Sequence, residues 1–268
     1  MPNSLTDHQN KRQANAEIAE PSVAAVLDEP VGSPEKARYV QEMFDAIAPR
    51  YDLLNSVLSL RIHHLWRSFA ARCASLAAGD SALDVCTGTG DFAVALKGIV
   101  GDAGRVVGID FSEKMLESGA VKFDAFGIER QQADAMALPF ADSEFDAAVV
   151  GFGIRNVTDP AVAVAEMARV VRPGGRVVIL EFSQPTNPVF NTLYDIHSRY
   201  IMPALGGLIS GRREAYAYLP ESVKRWKTRT EMAEMLRSAG LVDVRHRDLT
   251  FGTVCVNVGT KAELAKGL

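Results

Sequence analysis

The sequence predicts a doubly wound α/β domain built on a mainly parallel sheet, and three observations carry that prediction. Short apolar runs alternate with amphipathic helical stretches from residue 82 to residue 181. The first run ends in a glycine-rich turn, LDVCTGTGD (83–91), which leads into a helical pattern, and the chain closes on two consecutive strand-like segments joined by a short turn. With 268 residues, 47% of them apolar, one substantial core can be buried without dividing the domain.

Taken in order, residues 1–33 include Asp7, Glu17, Glu20, Asp28 and Glu29 and have no apolar centre. That composition argues against a signal or transit peptide, so this segment is expected to be a mobile tail. A single domain is expected over 34–262. Its opening, 34–80, reads as a helical lid: Val40, Met43, Phe44 and Ile47 recur at helical spacing until Pro49, and Leu65, Trp66, Phe69 and Cys73 share one face of 64–76. Strands are expected at 82–86, 105–110, 130–133, 145–150 and 176–181, with helices at 92–100, 113–126 and 161–171 between them. An excursion at 183–228 breaks the alternation. A helix at 229–239 then leads into strands at 242–248 and 253–259.

A formal net charge of -4 with no dense Lys/Arg stripe argues against nucleic acid as a partner. Cys73, Cys86 and Cys255 are too far apart for a metal knuckle, and an odd count fits a reducing cytoplasm better than a disulfide framework. No metal is expected. No apolar run approaches the roughly 18 residues that a membrane span requires.

The chemistry is concentrated at the strand ends. Gly88 and Gly90 allow backbone angles closed to other residues and a close approach of main chain to ligand. GTGDFA (88–93) also satisfies a loose dinucleotide pattern, with Asp110 placed where a ribose-binding acid would sit. Asp84 shifts the balance, because a carboxylate inside a strand needs a partner and an ammonium would supply one. That suits S-adenosylmethionine better than a pyrophosphate. Asp84, Asp110 and Asp134 close successive strands and should converge on one crevice. Asp110 is expected to accept both ribose hydroxyls, Asp134 to take the adenine amino group, and the Ala135 N–H to meet a ring nitrogen.

These residues resemble the class I S-adenosylmethionine-dependent methyltransferases, which are Rossmann-like. More narrowly, the chain resembles the ubiquinone/menaquinone biosynthesis C-methyltransferase family. The narrower likeness lies in FDAIAPRYDLLNSVLS (44–59), HHLWR (63–67), ALPF (137–140), FGIRNVTD (152–159), RVVRPGG (169–175), LEFSQP (180–185) and YLPESV (218–223), and runs from about residue 36 to 261. It implies a seven-stranded, mainly parallel sheet with a C-terminal antiparallel hairpin and helices on both faces. The implied reaction is C-methylation of a prenylated hydroquinone: demethylmenaquinol to menaquinol, or alternatively the benzoquinol intermediate of ubiquinone biosynthesis, or both. At matching positions it implies cofactor contacts from Thr89, Asp110, Asp134 and Ala135, with Gly151 near the methionine end. Cys86 stands where the wider superfamily often has glycine, and Asp134 where this family often has asparagine.

A neutral hydroquinone is a poor carbon nucleophile, so something must stabilise a phenolate. Arg155 is expected to do so by charge, a water held by Arg155 and Asn156 to carry the proton, and His63 or His64 to act as base. His197 has no partner spacing that singles it out. Tyr51, Tyr194, Tyr218 and Arg225 are further pocket candidates. Apolar residues among the arginines of 188–219 are expected to meet a lipid surface, a second copy in a homo-oligomer, or both. The chain is therefore expected in the cytoplasm, peripheral to the inner face of the membrane. A nicotinamide-dependent reductase and a non-catalytic scaffold are the rival classes.

Overall fold

The computed structural model describes residues 22–185 and 213–263, without the side chains of 213–217. Helices α1 (Val23–Leu27), α2 (Pro34–Ile47), α3 (Tyr51–Leu58) and α4 (Ile62–Cys73) precede the sheet. Strand β1 (Ser81–Val85) is followed by α5 (Asp91–Val100), β2 (Arg105–Asp110), α6 (Glu113–Ser118), α7 (Ala120–Phe126), β3 (Glu129–Gln132), β4 (Phe145–Gly151), α8 (Pro160–Val170) and β5 (Val171–Phe182). Helices α9 (Arg213–Lys224) and α10 (Arg229–Ser238) lead to β6 (Leu241–Leu249) and β7 (Val254–Lys261).

The seven strands are ordered β3-β2-β1-β4-β5-β7-β6, parallel except for β7, which runs antiparallel to both β5 and β6. β1 pairs with β2 on one side and β4 on the other, so the winding reverses there and opens a crevice beyond their carboxyl ends. The period-2 alternation of strands divides the core. Leu83, Val85, Ala148 and Val150 face α8 and α10, whereas Ala82, Ala147 and Val149 face α4 and α5. Helix starts follow local chemistry: Ser33 and Asp159 accept N-terminal amides ahead of Pro34 and Pro160, and Thr228 with Glu231 forms a capping box.

The structure departs from the sequence expectations in several places. The helix expected over 113–126 breaks at Gly119, where a Cβ would lie 2.6 Å from the Thr89 carbonyl oxygen. β5 starts five residues before the expected strand, because Val171 pairs with Phe145 before the intervening turn shifts the register to Ala147 with Arg176. β3 ends at Gln132, leaving Asp134 on the following turn. Helix α3 fills the gap between the two helical stretches singled out in 34–80, and α9 lies where no helix was expected.

The tail and lid also differ. Within 1–33, the chain from Ser22 is folded: α1 buries Val26, Asp28 pairs with Arg225, and the Gly32 N–H donates to Thr158 O at 3.1 Å. In 34–80, α4 is a layer of the core: it buries His63, Arg67, Ala70 and Ala71, and turns Leu65 outward. From this segment the wall of the crevice is formed by α2 and by Tyr51 at the start of α3, and Arg67 of α4 stands behind Phe152 on that wall.

Candidate active site

Beyond the ends of β1, β2 and β4 lies an open-mouthed cavity. Its wall includes Gly88, Asp110, Asp134, Ala135, Gly151 and Asn156, together with Phe44, Tyr51, Met115 and Phe152. Six expected site residues therefore meet in one space. Asp84, Thr89 and Gly90 lie behind that wall, as do His63 and Arg155.

Asp110 ties two loops together: Oδ2 accepts the Gly88 N–H at 2.8 Å and Oδ1 the Ser112 N–H at 2.9 Å. Burial nevertheless pushes its pKa up to about 6. A carboxylate has about four acceptor sites, so the ribose role expected of Asp110 falls to the remaining lone pairs. Asp134 Oδ1 accepts the Met136 N–H at 2.8 Å, and Ala135 lies beside it on the cavity wall.

Asp84 is fully buried. Its Oδ2 accepts the Thr87 hydroxyl at 2.6 Å, while Oδ1 makes no well-formed hydrogen bond among the described residues. Burial pushes its pKa up to about 7 against the Thr87 hydroxyl, the Arg67 charge and the Ala93 amide, which lower it.

The two glycines serve different ends. Gly88, at φ +58°, lines the cavity, where a Cβ would press on Met115; Gly90, at φ +89°, is needed because a Cβ would come within 2.7 Å of the Phe123 ring. Cys86 also sits in the left-handed region, at φ +54°, and its Cβ abuts Gly153. Burial and the acids Asp110 and Asp84 push its thiol well up, which fits a bystander. The Thr89 hydroxyl is aimed at the helical layer, donating to Asp52 Oδ1 at 2.5 Å. Lys122 bridges Asp52 and Asp91 in the same place.

Two catalytic expectations are corrected. Arg155 is 8% exposed: Nη1 donates to Glu181 Oε1 at 2.8 Å and to Phe152 O at 2.6 Å, and Nε to Ser222 Oγ at 3.3 Å. Its charge is already matched by a buried carboxylate, so it pins the turn carrying Phe152 and Asn156 and does not face the cavity. His63 is not a base poised near neutrality, since burial, Arg67 and His64 lower its pKa to about 4. Its Nδ1 meets Ser59 Oγ at 2.5 Å, and because that hydroxyl donates to Asn55 O, Nδ1 carries the proton. His63, His64 and Asp91 bring three ligand atoms within 4.8 Å of one another, but Arg67 and Lys122 face the same carboxylate and oppose a cation there.

Asn156 is the catalytic candidate that borders the cavity. Its Nδ2 reaches Phe152 O at 3.5 Å, and its buried Oδ1 has no partner among the described residues. Tyr218 is buried against Tyr39, with burial raising its hydroxyl to about 12. Arg225 is an exposed ion-pair partner of Asp28. Tyr194, His197 and most of the 188–219 stretch lie outside the described residues.

Sequence reasoning missed Arg67. It is 6% exposed, its guanidinium lies 5.5 Å over the Phe152 ring, and Nη1 is 3.8 Å from Asp91 Oδ2 with no hydrogen bond. The one available signal was its i, i+3, i+4 spacing with Ala70 and Ala71.

The sheet order, the crevice at its switch point and the convergent acids define a class I S-adenosylmethionine-dependent methyltransferase. Solved structures of that fold agree. The chain superposes with TM-score 0.63 and 17% identity on the [4+2]-cyclase SpnF, covering 85% of this chain and 97% of that one. With a SAM-dependent methyltransferase from Thermotoga maritima the TM-score is 0.58 and the identity 22%, over 83% and 99%.

The chain belongs to the ubiE/COQ5 methyltransferase family, whose model matches residues 33–261. It is 41% identical to the ubiquinone/menaquinone biosynthesis C-methyltransferase UbiE of Hahella chejuensis, over 85% of this chain and 93% of that protein. It is equally 41% identical to a demethylmenaquinone methyltransferase of Bacillus cereus, over 85% and 98%.

Proposed function

We propose that this chain methylates a ring carbon of demethylmenaquinol, using S-adenosylmethionine as donor. The observation that carries the reading is one cavity at the strand switch point whose wall combines Asp110, Asp134 and Gly88 with an aromatic surface and with Asn156. The Hahella relative's name covers both quinone pathways, which favours the benzoquinol as a second acceptor.

The chain's residues fit the cofactor. Asp84 Oδ1, buried and without a hydrogen bond among the described residues, suits its ammonium; Arg67 Nη1, which faces Asp91 Oδ2 at 3.8 Å but makes no hydrogen bond, suits its carboxylate. Asp110 takes the ribose and Asp134 and Ala135 the adenine; Gly88 leaves room beside the methionine chain, and Gly151, whose missing Cβ makes space for Phe92, borders it. Thr89 contributes through Asp52, holding the loop to α3. When bound, the cofactor supplies a methyl already activated by positively charged sulfur. The protein's task is alignment and exclusion of water. Phe44, Phe152, Met115 and Met136 make the wall apolar, and Asn156 Oδ1 accepts a hydrogen bond from the ring hydroxyl, orienting the ring and raising electron density on its carbon, while the hydroxyl proton and the ring C–H proton displaced by the methyl pass to solvent water. Arg155 and His63 are positioning residues in this scheme.

No described helix is long and apolar enough to cross a membrane, while the acceptor's polyprenyl tail stays in the bilayer. The reading puts the protein in the cytoplasm, in transient contact with the inner membrane face, because that is where a methylating enzyme could reach the ring of such an acceptor.

The test is transfer from labelled S-adenosylmethionine to demethylmenaquinol and to the corresponding benzoquinol, both kept reduced. Transfer to the naphthoquinol is expected; transfer to neither, with S-adenosylhomocysteine still bound, would overturn the acceptor. In the same experiment, Arg67→Ala is expected to weaken S-adenosylhomocysteine about 10–100-fold. It should leave 5′-methylthioadenosine, which lacks the amino-acid end, unchanged; equal losses for both ligands would refute the carboxylate role.

A further inference from the structure

The hairpin formed by α3 and α4 has an apolar outer side that the catalytic reading does not use. On α3, Leu53 and Val57 stand at i, i+4 and are exposed, and Leu60 in the turn that follows is exposed at 81%. On α4, Ile62 and Leu65 continue the exposed surface, Leu65 at 70%, while the inner sides bury Leu54, Ala70 and Ala71. The turn between the helices is left-handed at two non-glycine residues, Leu60 at φ +50° and Arg61 at φ +64°, which projects both side chains from the tip. Single exposed apolar residues are ordinary, but five on one helical hairpin are not.

Charge identifies the occupant. From Leu53 to Gly79 there is no Asp or Glu, although 33 of the 268 residues are acidic, and the exposed charges in that stretch are Arg61 and Arg72. Apolar residues among arginines, without acids, match an anionic lipid surface. A second copy fits less well, because a twofold contact at the tip would bring Arg61 against Arg61. The hairpin also begins at Tyr51, on the cavity wall, so seating it in the headgroups brings the crevice to the bilayer that holds the acceptor's tail.

We infer that the α3–α4 hairpin docks on an anionic bilayer through Leu53, Val57, Leu60, Ile62 and Leu65. This rests on the quinol reading above and gives its membrane contact a location.

The test uses the full chain and vesicles of equimolar phosphatidylglycerol and phosphatidylcholine, or of phosphatidylcholine alone. The parent is expected to sediment with the anionic vesicles. L60D/L65D is expected to bind them at least about tenfold less, and V121D, at an exposed apolar position on α7, to bind like the parent. Aspartate tolerates the left-handed region better than leucine, so L60D does not threaten the turn. Turnover of demethylmenaquinol with a truncated, water-soluble tail should be unchanged in L60D/L65D, whereas turnover of the long-tailed quinol in vesicles should fall about as much as binding.

Unchanged vesicle binding by L60D/L65D, or no preference of the parent for anionic lipid, overturns the proposal. So does a shift of L60D/L65D from dimer to monomer with lipid binding intact, which would assign the face to a second copy. Failure of the parent to methylate the soluble quinol would instead refute the acceptor, leaving the vesicle result to decide the surface.

Discussion

D84N is expected to melt at a higher temperature than the parent at pH 8 when free of ligand, and to have lost most of its affinity for S-adenosylhomocysteine. Burial pushes the Asp84 carboxyl from its ordinary value near 3.8 up to about 7. The folded state therefore binds this proton more tightly than the unfolded state does. Stability contributed by the neutral carboxyl is lost as pH rises from about 4 through about 7 and is fully absent at pH 8. Three pH units at about 1.4 kcal/mol each set an upper bound of roughly 4 kcal/mol on the cost.

The neutral amide escapes that cost and still accepts the Thr87 hydroxyl, so the stability gap between variant and parent should narrow toward pH 5. Binding should move the opposite way. An ammonium requires the ionised carboxylate, so the parent's affinity should rise by up to about tenfold per pH unit until about pH 7 and then level off, with proton release on binding at acid pH. D84N should lack both features. Thermal melts at pH 5 and pH 8, with calorimetric titrations in two buffers, check them. A lower melting temperature for D84N at pH 8 would defeat the burial argument, and retained affinity would defeat the ammonium assignment.

The sheet was legible because β1, β2 and β4 are buried on both faces and read as apolar runs, and because strand direction alone brings Asp84 and Asp110 to one end. What was not legible depended on contacts distant in sequence. The break at Gly119 answers to the Thr89 carbonyl, and the need for Gly90 answers to Phe123. Helix α4 carries aromatic residues on one side and alanines on the other, so hydrophobicity pointed to Trp66 and Phe69, whereas close packing on the sheet selected Ala70 and Ala71. The same rotation hid Arg67, which resembles an ordinary helix charge until its neighbours are known. In the site, residue types were readable at strand ends but pairing was not. Nothing in FGIRN indicates that Arg155 meets a glutamate 26 residues later.

That pairing sets the remaining prediction. R155A leaves Glu181, 1% exposed, without its cation, and is expected to cost about 3–5 kcal/mol of stability. Lost activity in R155A alone would therefore say nothing about the reaction. R155L/E181L removes both charges and should recover most of the melting temperature and the affinity for S-adenosylhomocysteine. Its methyl transfer should stay at least about a hundredfold down, because Phe152 O loses its short Arg155 donor and keeps only the long contact to Asn156 Nδ2, so the turn, with Phe152 at φ +61°, is free to relax away from the geometry that presents Asn156. R155K separates position from charge. Lysine keeps the ion pair but cannot reproduce three guanidinium hydrogen bonds directed at Glu181, Phe152 and Ser222. A residue acting by charge on a phenolate would tolerate that change; one acting through the turn should lose nearly as much transfer as the double variant. Near-parental transfer by R155K would return Arg155 to the phenolate role, and full transfer by R155L/E181L would reduce it to stability alone.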